Sequence, residues 1–196
     1  MLKALNTDSE KNVKHWFVMR AYKNEKTAEE KLCGSGGLEY FIPKHYVLRT
    51  YHGVKTRRLV PVIPNLVFVN STHVKITDFK KTQYNLLQFV TWEIEGERKY
   101  MIVSDKEMKD FIKATTQNEM KTDFYKPEEI NLKYGDRIRI HGGILDGVEG
   151  VLARVNGKRN KSLVITLEGI MSVAVNVSPE FIEILDRNEC QSQSEQ

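Results

Sequence analysis

Arg57-Arg58-Leu59-Val60-Pro61-Val62-Ile63-Pro64-Asn65-Leu66-Val67-Phe68-Val69-Asn70 sets two cations against an apolar run that two prolines interrupt. Proline lacks the amide proton that a helix or an interior ladder needs, so no helix continues through this stretch. An interior strand before Asn65 is not expected either. A buried strand can start after Pro64, and Leu66-Val67-Phe68-Val69 has its composition. Val62 and Ile63 then lie in a proline-bracketed bend, where they serve either the core or a contact surface.

Outward from the bend, charge is distributed unevenly. Tyr40 to Thr77 contains Lys44, Arg49, Lys55, Arg57, Arg58 and Lys75 and no acid, although the 196-residue chain has a formal net charge of only +4. A cationic stretch of this kind suits a polyanion better than the net charge suggests. Before it, Lys14 to Arg20 reads as a strand, and Glu25 to Leu32 as a helix with Ala28 and Leu32 on one face. Gly34-Ser35-Gly36-Gly37 follows that helix. A phosphate-binding loop must precede one, because the free N–H groups are at the helix start. Glu39 to Thr50 reads as a strand disturbed at Pro43, and Tyr51 to Thr56 as a turn-forming loop.

After the bend, Ser71 to Asn85 is polar, with Val74, Ile76, Phe79 and Tyr84 as its large apolar anchors. Strands are expected over Leu86 to Ile94 and Arg98 to Val103. Ser104-Asp105-Lys106-Glu107 has the capping-box pattern and opens a helix burying Met108, Phe111 and Ile112. Residues 118–129 lose the apolar period, contain Pro127 and are read as a linker. Short alternating strands separated by Gly142-Gly143 and Asp146-Gly147 follow, with Leu163, Ile165 and Leu167 on one face and Val173, Val175 and Val177 on the next. The expectation is an α+β chain: a flexible 1–13, a mixed domain over 14–117, the linker, a small all-β barrel over 130–185 and a polar, disordered tail over 186–196.

Chemistry finds little support. The histidines, His15, His45, His52, His73 and His141, have no metal-ligand spacing, and no nucleophile-elbow or Walker pattern occurs. Cys33 and Cys190 are far apart, and Cys190 lies in the polar tail. No catalytic residue, metal or cofactor is expected. The polar start and the absence of an apolar run near the roughly 18 residues of a membrane span point to a soluble protein without membrane contact.

Tyr134-Gly135-Asp136-Arg137-Ile138-Arg139-Ile140, then Gly143-Ile144-Leu145-Asp146-Gly147 and Gly150-Val151, resemble a KOW motif, with Gly135, Asp136, Gly143, Gly147 and Gly150 at its marked positions. His15-Trp16-Phe17-Val18, Tyr40-Phe41-Ile42-Pro43 and the Pro61 to Val69 stretch resemble the NGN domain of NusG-family transcription factors. Tyr-Phe-Ile-Pro and Ile-Pro-Asn-Leu-Val-Phe are most similar to the UpxY branch, antiterminators of capsular-polysaccharide operons. The resemblance implies an NGN-like α/β sandwich followed by an SH3-like KOW barrel, in a monomeric protein of the bacterial cytoplasm. It also implies docking on the clamp helices of RNA polymerase beside non-template DNA or nascent RNA, suppressing pausing or termination without bond chemistry.

Carried over residue by residue, the polymerase-facing positions are Val62, Ile63 and Leu66, bordered by Tyr40 and Phe41, with Phe68 in the core. The nucleic-acid-facing positions are Arg49, His52, Lys55, Arg57 and Arg58. Arg154, Lys158, Arg159 and Lys161, around Asn156-Gly157, could touch nucleic acid or form a solvated hairpin tip. Where the general factor has Phe-Gly-Arg, this chain has Glu168-Gly169-Ile170, so a ribosomal-protein or Rho contact through the barrel is not supported. A ribosomal-type KOW protein is the rival binding class, and the separate α+β domain argues against it.

Overall fold

The computed structural model describes residues 3–4, 12–94, 96–117, 122–126, 129–130, 135–155 and 161–186. By its contacts the chain divides into two units, Met1–Asp105 and Lys106–Gln196.

In the first unit, a seven-stranded antiparallel sheet is built on β2 (Lys14–Ala21) and β6 (Leu66–Thr72). On one side of this pair lies β3 (Glu39–Phe41); on the other, β9 (Glu97–Val103) and then β1 (Lys3–Ala4). Two short strands, β7 (Leu87–Phe89) and β8 (Thr91–Ile94), pair with β2 and β9 respectively. Alternation sends Phe17, Met19, Val67 and Val69 to one face, where Ala28 and Leu32 of α1 (Glu25–Cys33) and Ile76 of α2 (His73–Thr82) join their cluster. Trp16, Val18, Leu66 and Phe68 lie on the opposite face and are also buried. The Asn24 side chain caps α1 by accepting from the Thr27 amide at 2.7 Å, and the Thr72 hydroxyl does the same for Lys75 in α2 at 3.3 Å.

Several expectations are corrected. Ile42-Pro43 splits the expected Glu39–Thr50 strand into β3 and β4 (Lys44–Tyr51), since proline cannot donate to the ladder. The expected loop over Tyr51–Thr56 shrinks to His52-Gly53, because β5 (Val54–Pro61) pairs with β4 in a sheet of its own. A strand therefore does precede the bend, and its proline is tolerated because it ends a ribbon of two edge strands. The Ser71–Asn85 segment contains α2, in which Ile76 is buried and Phe79 packs on the core, whereas Val74 and Tyr84 are exposed. Val90 breaks the Leu86–Ile94 run into β7 and β8.

The second unit carries α3 (Asp105–Gln117) from Lys106 onward. Its six strands are β10 (Thr122–Tyr125), β11 (Asp136–Ile140), β12 (Glu149–Arg154), β13 (Lys161–Leu167), β14 (Met171–Val175) and β15 (Ile182–Asp186), arranged β10-β14-β13-β12-β11-β15. β10 lies within the stretch expected to be a linker: Phe124 and Tyr125 gave no periodic signal, yet the strand completes the ladder along β14. Leu163, Ile165 and Leu167 are buried as expected, and so are Ser162 and Val164 on the other face of β13. β14 ends at Val175, leaving Val177 outside it.

Two motif glycines have separate reasons. Gly147 has φ +77°, a conformation costly for any residue with a Cβ. Gly150 passes so close to β13 that a Cβ would stand 2.5 Å from the Val164 carbonyl oxygen, an atom fixed in the ladder. Gly135 is also buried, Asp136 opens β11, and Gly143 sits with positive φ in the turn before Gly147. Tyr134, Lys158, Arg159 and the tail beyond Asp186 lie outside the described residues.

Candidate functional site

The ribbon β4–β5 and the bend after it carry most of the residues singled out from sequence. Its turn, His52-Gly53, has φ +48° and +78° at its two central residues, the sign pattern of a type I′ hairpin, whose twist suits the flanking strands. Eight cross-strand pairs run from Tyr51↔Val54 to Lys44↔Pro61. Near the base, the Lys44 ammonium is 2.7 Å from the Glu29 carboxylate of α1.

The register divides the cations between two faces. Val47 pairs with Arg58 and Arg49 with Thr56, so Arg49 and Arg58 share one face. Leu48 pairs with Arg57 and Thr50 with Lys55, placing Arg57 and Lys55 on the other, with His52 at the exposed tip. The second face also holds Tyr46, Leu48 and Leu59, all exposed, and Arg57 Cζ sits 3.6 Å from the Tyr46 ring centroid. A guanidinium at that range is attracted by the ring quadrupole. The sequence alone does not single out these three apolar residues, because Val47 and Val60 beside them are apolar too and no two-residue period marks the exposed face.

The bend is held from three directions. The Val62 amide donates to the Pro43 carbonyl at 2.9 Å, and the Leu66 amide donates to the Ile63 carbonyl at 3.3 Å. With Pro64 second and Asn65 third at φ +64°, this turn has the pattern of a type II β-turn. The Asn65 amide also donates to Glu25 of α1 at 3.2 Å, and the Asn65 carbonyl accepts from Ala21 at 2.8 Å. Val62 and Ile63 are half-buried on this fixed backbone, with the remainder of each side chain open.

The other nominated residues do not form one patch. Leu66 is only 6% exposed. Phe41 pairs with Phe68 and shares the face of Leu66, whereas Tyr40, opposite Val69, points to the α1 side and packs on the core there. Burial raises the Tyr40 phenol above its ordinary range, with Glu29 and Cys33 acting in the same direction. Phe68 is fully buried, as expected of a core residue.

In the second unit, Glu149 gathers cations. Its carboxylate takes Lys106 of α3 at 2.6 Å and Arg139 of β11 at 2.7 Å, with Arg137 at 3.9 Å. Asp110 of α3 accepts the Glu149 amide at 3.5 Å, and Lys113 donates to the Asp146 carbonyl. The hydrogen bonds from Lys106 and Arg139 hold the Glu149 carboxyl below its usual range, while burial raises that of Asp110. A depressed carboxylate supports the fold above its unfolded pKa, and that support is lost as pH falls through the folded value; Asp110 acts in the opposite sense. Glu149→Gln is therefore expected to loosen β11 and β12 at neutral pH. It should also flatten their loss of protection between about pH 5 and pH 3, read by amide exchange in the full chain.

The Glu168-Gly169 turn is exposed between β13 and β14, with Gly169 at φ +72°. Arg154 and Lys161 face each other across β12 and β13, and Lys161 is also 3.8 Å from Asp136. Among the described residues, no group of three or more His, Cys, Asp or Glu side chains is placed to hold a metal ion, and no helix is long and apolar enough to cross a membrane.

Comparison with known proteins gives a family match over residues 14–112 to the model described as NusG, transcription termination factor nusG. Among solved structures, the chain is similar to NusG of Thermotoga maritima, in a study of domain interaction in that protein. The identity is 20% and the TM-score 0.41, over 88% of this chain and 98% of that one. No curated protein matches. The family match spans the first unit's sheet apart from β1, the ribbon, the bend and α3 as far as residue 112, half of the whole sequence, and on that ground the chain belongs to the NusG family of transcription factors.

Proposed function

We propose that this chain binds RNA polymerase through its first unit, favours the elongating over the paused enzyme, and so suppresses pausing or termination. The observation carrying this reading is the bend at Val62-Ile63, which presents partly open apolar side chains on a backbone pinned by α1, β2 and Pro43. A surface fixed before binding loses little entropy on docking. The clamp helices are the proposed partner, with Val62 and Ile63 at the centre, Phe41 and Leu66 behind them and Tyr40 as support from the other face. Arg49, Arg58, Lys55, Arg57 and His52 are proposed to lie along the non-template DNA. Neutralising three phosphates would give a salt slope near −2.7, roughly a 40-fold loss of affinity from 50 to 200 mM salt.

Antitermination at particular operons, such as those for capsular polysaccharide in the bacterial cytoplasm, is the specialised form of this reading. Glu168-Gly169-Ile170 favours it over a general elongation or termination factor, because an acid and an aliphatic residue replace the aromatic and the cation of the general factor's barrel. The test is transcription in vitro through a terminator downstream of the protein's own leader. Added protein is expected to increase readthrough and to co-elute with core polymerase. Tight binding to structured RNA with indifference to polymerase would favour the ribosomal-type reading instead.

A further inference from the structure

Ala28 and Leu32, four residues apart, seat α1 in the core of the first unit. A second stripe with the same spacing, Glu25, Glu29 and Cys33, runs along the adjoining side of the helix and meets three different elements. Glu25 accepts the Asn65 amide of the bend at 3.2 Å. Both carboxylate oxygens of Glu29 accept from the Lys44 ammonium at the base of β4, at 2.8 and 2.7 Å. Cys33 shares a hydrogen bond with the Tyr40 hydroxyl of β3. The bend has further backbone hydrogen bonds to Ala21 and Pro43, whereas the ribbon is a sheet of its own in which β4 and β5 pair only with each other. No acid occurs from Tyr40 to Thr77, so the ribbon contains no carboxylate for Lys44 and takes one from α1.

We propose that Glu29 is a positioning residue: through Lys44 it fixes the direction in which the ribbon leaves the first unit, so that ribbon and bend are set at one angle by the same helix. The inference rests on the reading in which the bend docks on polymerase and the ribbon lies along the non-template DNA, and it names what holds the two in register. Glu25 and Glu29 are about 6 Å apart along a hydrogen-bonded helix, which does not flex over one turn, so a bend tied to the first and a ribbon tied to the second move together. The Lys44 and Glu29 side chains are 26% and 34% exposed, and a pair as open as this favours its geometry by a factor of about five at most. Such a factor is too small to decide whether the unit folds. It does set what share of the molecules hold the ribbon in one direction, and a partner that needs that direction binds in proportion to the share.

The test places spin labels at Val54→Cys, exposed beside the ribbon's turn, and Lys75→Cys, exposed on α2, in the full chain carrying Cys33→Ser and Cys190→Ser, and reads the distance between them by double electron–electron resonance. Serine keeps the hydrogen-bonding capacity of Cys33 toward Tyr40. The expected result is one narrow distance peak that broadens in Glu29→Ala and narrows again in the charge swap Glu29→Lys/Lys44→Glu. In transcription through the terminator, Glu29→Ala should lower readthrough by up to about fivefold and the charge swap should restore it. Co-elution with core polymerase should persist in both, because the bend keeps its own hydrogen bonds. A peak equally narrow in Glu29→Ala, or a broadened one that the charge swap leaves broad, would overturn the positioning role and leave docking at the bend in place. A broadened peak with unchanged readthrough would overturn it as well, since the ribbon's direction would then not matter. Failure of the unsubstituted chain to bind polymerase would instead remove the docking reading, and the distance peaks alone would decide whether Glu29 holds the ribbon.

Discussion

Ile63→Asp is expected to weaken binding to core RNA polymerase about 100-fold while the first unit stays folded. Ile63 is already half-buried, so covering the rest of its side chain is worth about 1–1.5 kcal/mol, and a carboxylate buried without a partner adds a further penalty. The bend itself should survive. Its hydrogen bonds are made by backbone groups of Pro43, Val62, Ile63 and Asn65 and by Glu25, none of which the substitution removes. Ile63→Leu, which keeps volume and apolarity, serves as the conservative control and should retain affinity within a few-fold. Co-elution with core polymerase, alongside a thermal melt of each variant, checks the expectation. Undiminished binding by a folded Ile63→Asp protein would show that polymerase docks elsewhere.

Phe68→Ala tests the opposite assignment, two residues beyond Leu66. Phe68 is fully buried on the strand between β2 and β3, across from Val18 on one side and Phe41 on the other. Its removal leaves a cavity that neighbours held in a ladder cannot easily close, at a cost of about 3–5 kcal/mol. Against a total of about 5–15 kcal/mol for an ordinary domain, that loss should be plain in a urea unfolding curve. A cost below about 1 kcal/mol would mean that the face around Phe68 is looser than its burial indicates. The pair of variants separates the two halves of the stretch: Ile63 should change binding with little change in stability, and Phe68 the reverse.

The sequence made the β6 core strand legible because four consecutive apolar residues follow a proline that cannot belong to the ladder. The α1 helix was legible for a similar reason, with helix formers bounded by Asn24 and a glycine cluster. The ribbon was harder. Its two strands mix cations with apolar side chains without a two-residue period and pair only with each other, so neither has the one-sided pattern that a core imposes, and the sequence favours a longer loop at the tip. The division of Arg49 and Arg58 from Lys55 and Arg57 depends on register, which a two-residue turn sets and a list of basic residues does not contain. Likewise Tyr40 and Phe41 are neighbours in sequence but lie on opposite faces, a consequence of the two-residue period of a strand. β10 escaped notice because its partner, β14, is some fifty residues away.

The link between α3 and Glu149 bears on how such a protein can be taken apart or recombined. The family match ends at residue 112, part-way along α3, but Lys106, Asp110 and Lys113 all engage the turn and strand around Asp146 and Glu149. A fragment begun at the KOW motif would lack both α3 and β10, leaving the β14 edge bare and Glu149 without its lysine. Chimeras that exchange the C-terminal half between relatives inherit the same constraint: the graft should begin at Lys106, so that the helix travels with the strands that hold it.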